Sequence, residues 1–322
     1  MKAMVVQLGR IGDLILLTPM LEELKNKYSA QVTLLVGPSN YSIIKGHPAI
    51  DRIIVLNKAP HKLLLTLLKL LIKRFDVWID PRDHHSTEGR LLARIGRAKM
   101  KIGFNSEAKK AVFTHGISNE NHNLHQVQIG LNALRPLGYE LSNEIPRPTL
   151  PLNPNSEKKI DEFIGSHANQ FTLLNISASK DDKMWHEDLW VRFIRSQSNL
   201  LGELILCHAP NHKGVANSII FKLDREIKVF SSPEISDIVS LISRASLLIG
   251  PDTSLVHIAA AFNIPVLALY SGLDEFYVKF RPLSEIEISV RADKGDTGIK
   301  SITLDSMIES YTEIGKQLLQ KK

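Results

Sequence analysis

Along this chain, short apolar runs alternate with longer stretches in which apolar residues recur every three to four positions. The runs at residues 3–8, 31–36, 52–56, 76–80 and 100–103 predict strands, and most segments between them carry helical periodicity. Prolines at 146, 148, 151 and 154 then break the pattern, because proline continues neither a helix nor a central strand. That stretch reads as a linker. Beyond it the alternation restarts. Strands are predicted at 171–176, 203–207, 227–230, 246–249 and 266–270, with helices from 156, at 187–198, up to 223, at 236–243 and from 252. Two successive βα arrays predict an α/β protein with two Rossmann-like domains, residues 1–150 and 151–322, facing each other across a cleft. The C-terminal helix is placed either on the second domain or back on the first.

Composition narrows the setting. The 322 residues are 43% hydrophobic and 23% charged, which fits a globular protein with a core in each domain. No run approaches the ~18 apolar residues needed to span a bilayer, and Gly9 and Arg10 interrupt the first apolar run, so a cytoplasmic protein is expected. A net charge of +6 favours acidic partners. Nucleic acid is not expected among them, since aromatic residues make up only 6% of the chain and do not interleave with the basic ones. The single cysteine, Cys207, lies in an apolar strand pattern and reads as inert core.

Three segments carry candidate chemistry. From Gly250 to Gly272 a strand, a tight turn at Pro251, a helix opening at Asp252 to Ser254 and a second strand follow one another. A helix N-terminus at the carboxyl end of a parallel strand offers unpaired amides and partial positive charge to a phosphate. Thr253 and His257 lie one turn apart and can both face it. In GRIGDLILLTP, residues 9–19, glycines let the backbone turn closely around a ligand, Thr18 reads as an N-cap and Pro19 as the first helical residue. Asp13 then falls in the connection or in a broken first turn, either capping a helix or serving a ligand. In SASKDDKMWHEDLW, residues 177–190, Lys183 can reach a phosphate and Ser177 and Ser179 add hydroxyl donors; a solvated loop of mixed charge is the alternative. The GxGxxG and P-loop signatures are absent, which removes the main support for a dinucleotide oxidoreductase or a kinase, and a D-x-D metal motif is missing too. His122 and His125 have ligand-like spacing near His115, but no acidic or cysteine partner accompanies them, so no metal is expected.

In order and spacing these segments resemble the ADP-heptose:lipopolysaccharide heptosyltransferases, glycosyltransferase family 9. The resemblance covers nearly the whole chain. It includes R-x-G-D…T-P at Arg10, Gly12, Asp13, Thr18 and Pro19, the pattern RFDVWID…KIGF, K-x-W at Lys183 and Trp185, and D-T-x-x-x-H at Asp252, Thr253 and His257. It implies a GT-B architecture with an N-terminal acceptor domain and a C-terminal nucleotide-sugar domain, and inverting transfer with no metal or other cofactor. Asp13 looks like the general base, with Arg10 and Gly12 beside it on the acceptor side. Lys183 and the amides around Thr253 and Ser254 are expected to hold the pyrophosphate with Ser177 and Ser179. Asp252 is expected near the sugar hydroxyls and His257 near a phosphate or the sugar. The implied donor is ADP-heptose, and the implied acceptor is an anionic lipopolysaccharide core.

Three departures from the family pattern bear on the donor. Ser254 stands where many relatives have glycine, Ala178 stands where some carry a threonine, and the stretch from His208 to Lys213 has no carboxylate that could hold a ribose. A different nucleotide sugar, an epimerase or hydrolase acting on one, and a non-catalytic sugar-nucleotide-binding protein therefore remain as alternatives. On the acceptor side, Arg82, His84 and His85 directly follow the fourth strand, and Arg90, Arg94, Arg97, Lys99 and Lys101 come soon after. Arginine recognises carboxylates and phosphates bidentately, whereas a solvated helix face is an equal alternative for Arg90, Arg94 and Arg97. Finally, HKLLLTLLKLLIKR, residues 61–74, predicts a helix with one narrow polar stripe at 62, 66, 69 and 73. It is either buried under neighbouring elements or laid on a membrane surface, which makes peripheral contact at the cytoplasmic face of the inner membrane an expectation.

Overall fold

The computed structural model describes residues 1–105, 111–117, 123–165, 171–197, 202–223 and 225–320. His122, one of the three histidines weighed for a metal, lies outside them. The chain divides into two compact units, Met1–Pro151 and Leu152–Lys322, and the division falls in the proline-rich stretch.

The first unit holds a six-stranded sheet of β1 (Lys2–Gln7), β2 (Gln31–Val36), β3 (Arg52–Val55), β4 (Arg74–Ile79), β5 (Arg97–Gly103) and β6 (His115–Gly116). All neighbours are parallel, in the order β3-β2-β1-β4-β5-β6. The second unit repeats the plan with β7 (Phe171–Asn175), β8 (Glu203–Cys207), β9 (Lys228–Phe230), β10 (Leu247–Pro251), β11 (Val266–Tyr270) and β12 (Glu287–Arg291). Its order is β12-β11-β10-β7-β8-β9, again wholly parallel. In each sheet the chain begins in the middle, builds to one edge, and returns to the other side of its first strand. The order therefore reverses between β1 and β4, and between β7 and β10. In doubly wound sheets ligands bind beyond the carboxyl ends of the strands at such a reversal.

Every residue of β7, β10 and β11 is buried, because helices cover both faces of a parallel sheet and no polar-out alternation is needed. The helix Glu187–Ser196 faces the second sheet with Trp190, Val191, Phe193 and Ile194. Trp185 and Trp190 meet edge to face with ring centroids 4.7 Å apart, and the Trp185 indole N–H donates to the Ile302 carbonyl at 2.9 Å. The C-terminal helix Leu304–Gln320 adds Met307, Tyr311 and Ile314 to this same core, with Tyr311 edge-on to Phe193. Cys207 is buried, and burial pushes its thiol up to about 12.

Four local expectations are corrected. Thr18 is not an N-cap. A five-residue helix Ile11–Ile15 precedes a second one, Thr18–Asn26, whose N-cap is Leu17, and the Thr18 hydroxyl donates to the Ile15 carbonyl while accepting from the Thr149 amide. Pro251 is not in a turn but ends β10, since the ladder runs on through Asp252 N–H to Leu269 O at 2.9 Å. The strand predicted at 100–103 begins at Arg97, which puts Arg97 on β5 rather than on a helix face, in line with Lys99 and Lys101; Lys99 pairs with Asp76, and Lys101 donates to the Ala93 carbonyl. In the helix Pro60–Ile72, the stripe read as polar includes Thr66, which is buried and bonds back to Lys62 O, while Leu64, Leu65, Leu68, Leu71 and Ile72 are exposed. A hydroxyl that bonds its own helix can enter a core, so Thr66 sits inward with Leu63, Leu67 and Leu70.

Candidate active site

In the first unit the candidate residues collect at the carboxyl ends of β1 and β4, where the strand order reverses. The turn after β1 is held by side chains of its own neighbourhood. The Gln7 amide oxygen accepts from Gly9 N–H at 3.1 Å, and the buried Asn40 amide donates to the Gly9 carbonyl at 2.9 Å. Asp13 follows in the short helix, half-buried, with Oδ2 accepting the Arg10 amide at 3.3 Å. A Cβ at position 9 would stand 3.1 Å from that same oxygen, so glycine there leaves room for the carboxylate to lean over the turn. Arg10 is exposed and Gly12 half-buried. The arrangement holds the Asp13 carboxylate against the Arg10 amide at the turn that follows β1.

Beyond β4 the geometry is that of an anchored guanidinium. Asp80 is buried, and its two oxygens accept Arg82 Nε at 2.7 Å and Arg82 Nη2 at 2.6 Å. Such a bidentate pair orients the fork rigidly and leaves the two Nη1 N–H groups and one on Nη2 as the remaining donors. The helix Thr87–Ile95, capped by Ser86 accepting from Gly89 N–H, passes so close that a Cβ on Gly89 would lie 2.1 Å from both Arg82 Nη2 and Asp80 Oδ2. His84 Nδ1 lies 3.0 Å from the Asp83 carboxylate, and His84 and His85 are both exposed.

In the second unit the candidates collect at the carboxyl ends of β7 and β10, again at the reversal. Asn175, the last residue of β7, ties the two ends together. Its Oδ1 accepts Ser177 N–H at 3.1 Å, and its Nδ2 donates to the Ser177 carbonyl at 3.0 Å and to Thr253 Oγ1 at 3.5 Å. Gly250 makes this approach possible, since a Cβ there would stand 2.7 Å from the Asn175 carbonyl oxygen. Ser177 is buried and its oxygen accepts the Ala209 amide at 2.9 Å, whereas Ser179 is exposed. Thr253 is the N-cap of the helix Ser254–Ala261, its hydroxyl accepting from Leu255 N–H at 3.4 Å. Lys183 Nζ donates to Asp252 Oδ2 at 2.6 Å, with both side chains mostly buried. An ammonium has three donors and this bond uses one.

His257 lies one turn into that helix, fully enclosed, with its ring beside Phe280 at 6.4 Å. Burial, reinforced by the nearby Lys183 charge, pushes it down to about 4. At neutral pH it is an uncharged imidazole. It adds no charge beside Lys183 and the helix N-terminus. Among the described residues, no group of three or more His, Cys, Asp and Glu side chains is placed to hold a metal ion.

Asn175, Asp80, Gln7 and Asn40 were missed in the sequence. Asn175 and Asp80 each left a trace there, as a polar residue near the end of an apolar run, and Asp80 closes the pattern RFDVWID.

Comparison with known proteins gives the family and the fold. The family model described as glycosyltransferase family 9 (heptosyltransferase) matches residues 65–301, a stretch that contains Lys183, Asp252, Thr253 and His257 and begins after Asp13. The chain is 24% identical over 293 residues to lipopolysaccharide heptosyltransferase 3 of Escherichia coli, covering 85% of this chain and 84% of that protein. Its fold matches a glycosyl transferase family 9 structure from Veillonella parvula at a TM-score of 0.83 with 17% identity, covering 98% and 97% of the two chains. It matches E. coli ADP-heptose LPS heptosyltransferase II at 0.81 with 16% identity, covering 98% and 99%. Fold and likeness together define a glycosyltransferase with two Rossmann-like units, the GT-B class. Within that class, the chain belongs to glycosyltransferase family 9.

Proposed function

We propose that the protein transfers heptose from ADP-heptose to an anionic lipopolysaccharide core acceptor at the cytoplasmic face of the inner membrane, with inversion and without a metal. The observation that carries this reading is the pairing of Lys183 with Asp252 beside the Thr253-capped helix, at the reversal of the second sheet. An ammonium and a helix N-terminus supply fixed positive charge where a departing nucleoside diphosphate gathers negative charge, the work a metal does elsewhere. Asp13 takes the proton from the acceptor hydroxyl. The hydroxyl oxygen bonds to the anomeric carbon on the face opposite the diphosphate, the bond to the phosphate oxygen breaks, and ADP leaves with the electron pair. Lys183, the Thr253 hydroxyl and the Ser254 amide receive that charge, Ser177 and Ser179 lie beside them, and Asp252 bonds the sugar hydroxyls. His257, being neutral, contributes a hydrogen bond rather than charge. Arg10, Gly12, Arg82, His84 and His85 form the acceptor side, where the guanidinium held by Asp80 meets a carboxylate or phosphate.

A second reading, transfer from a different nucleotide sugar, is favoured by the His208–Lys213 stretch. It follows β8 without a carboxylate, and the His208 ring hydrogen-bonds the Ala209 carbonyl at 2.8 Å rather than turning outward as a ribose partner. Calorimetric titration in EDTA with ADP, UDP, GDP and CMP separates the two. Preference for ADP, strengthened by the heptose, supports ADP-heptose; preference for another nucleotide removes heptose and keeps the transfer chemistry.

A further inference from the structure

We propose that the outer face of the helix Pro60–Ile72, with the basic pocket at its carboxyl end, docks the protein on an anionic phospholipid bilayer. No helix among the described residues is long and apolar enough to cross a membrane, so this contact lies in the interface plane. Leu63, Thr66, Leu67 and Leu70 turn the inner side of the helix to the first sheet. At 100° per residue this leaves Leu65, Leu68 and Ile72 along the outermost line, with Leu64 and Leu71 on one flank and Lys62 and Lys69 on the other. Exposure rises to 75% at Ile72, and Leu91 of the adjacent helix Thr87–Ile95 adds a further 55%-exposed leucine. A contiguous apolar ridge of this kind marks an interaction surface.

Charge selects the occupant. The helix contains no acidic residue. Its carboxyl end runs directly into a pocket of about 340 Å³ at the amino ends of the strands, lined by Lys2, Arg52, Lys73 and Arg74 together with Asp51 and uncharged residues. The carboxylates nearby are already paired: Asp51 with Lys25 at 2.6 Å, Asp76 with Lys99 at 3.0 Å, and Glu88 with Lys58 at 3.3 Å. Burial first, and then the Arg52 and Lys69 charges, depress Lys73, the direction expected where cations are set close together. Leucines beside a cluster of basic groups fit acyl chains beside lipid phosphates. A protein partner would be expected to meet the same face with acidic side chains. The inference extends the reading of a lipid-carried acceptor, but vesicles free of acceptor and donor test the surface alone, so it stands or falls separately from the sugar transferred.

The test is co-sedimentation of the full chain with vesicles of phosphatidylglycerol and phosphatidylcholine in equal parts, and with phosphatidylcholine alone, at about 0.1 M salt. The wild type should bind the anionic vesicles. Leu65→Gln with Leu68→Gln, both facing outward, should weaken partitioning by at least about tenfold without lowering the melting temperature. Lys69→Gln with Arg74→Gln should lose roughly tenfold or more on anionic vesicles only. Wild-type protein that stays in the supernatant, or leucine variants that bind as well as the wild type, would overturn the proposal. So would a wild-type dimer, seen by analytical ultracentrifugation, that the leucine variants abolish, because the face would then belong to a second copy.

Discussion

Replacing Lys183 with methionine separates a phosphate ligand from a merely structural cation. The Lys183 ammonium sits 2.6 Å from Asp252, whose side chain is 12% exposed. Without it, the carboxylate keeps its burial and loses its charged partner, which should cost about 1–3 kcal/mol of stability. In a unit of this size that lowers the melting temperature by roughly 2–10 °C. Binding should suffer independently. A charge-assisted hydrogen bond to a diphosphate contributes about 1.5–3 kcal/mol, so ADP affinity should fall roughly 10- to 150-fold, and further because the unpaired Asp252 repels the ligand. The double variant Lys183→Met, Asp252→Asn removes the stranded charge, so it should regain most of the melting temperature and little of the ADP affinity. Thermal unfolding and calorimetry in EDTA read the two effects apart. The reasoning is refuted if Lys183→Met binds ADP within about twofold of wild type, or if the double variant recovers stability and binding together.

Other expectations concern single groups. Asp13→Asn should lower the transfer rate by about 10²–10⁴ with unchanged ADP binding, measured by ADP release against calorimetry; an effect below about tenfold would reduce Asp13 to a turn-holding role. His257 is about 4 in the fold against about 6.5 unfolded, so as pH falls from 6.5 towards 4 the unfolded chain takes up a proton the fold refuses, and stability drops by about 3 kcal/mol. That contribution is complete above pH 6.5. His257→Gln should flatten the corresponding part of the denaturant-midpoint profile, and a profile as steep as wild type would place the acid sensitivity elsewhere. Gly89→Ala drives a methyl to 2.1 Å from both halves of the Asp80–Arg82 pair and should destabilise by about 1–3 kcal/mol in urea; a loss under about 0.5 kcal/mol would show that the pair yields easily.

What the sequence disclosed depended on how local each determinant was. The strands β7, β8, β10 and β11 were legible because a parallel sheet buried on both faces leaves continuous apolar runs. Thr253 could be read as lying at a helix start, and Lys183 as reaching for charge, because each signal lies within a few residues. Asn175 to Thr253, by contrast, spans 78 positions, and the bond between them exists only once β7 and β10 are neighbours. The Asp80–Arg82 pair is short in sequence, but its fixed geometry depends on Gly89 admitting it beneath a helix. Thr18 looked like a cap because threonine before proline so often is one; the distant Thr149 amide claims its hydroxyl instead. The helix Pro60–Ile72 left two readings open, since spacing gives the width of an apolar face but not whether anything covers it.

The most direct test of glycosyl transfer is incubation of the purified protein with ADP-heptose and a lipopolysaccharide core acceptor lacking its heptose, in EDTA, following ADP release and the anomeric configuration of the product by NMR. The account predicts ADP release that requires acceptor, a product inverted at the anomeric carbon, and loss of both in Asp13→Asn. Turnover of ADP-heptose without acceptor, retention at the anomeric carbon, or activity that appears only when a divalent metal replaces EDTA would contradict it.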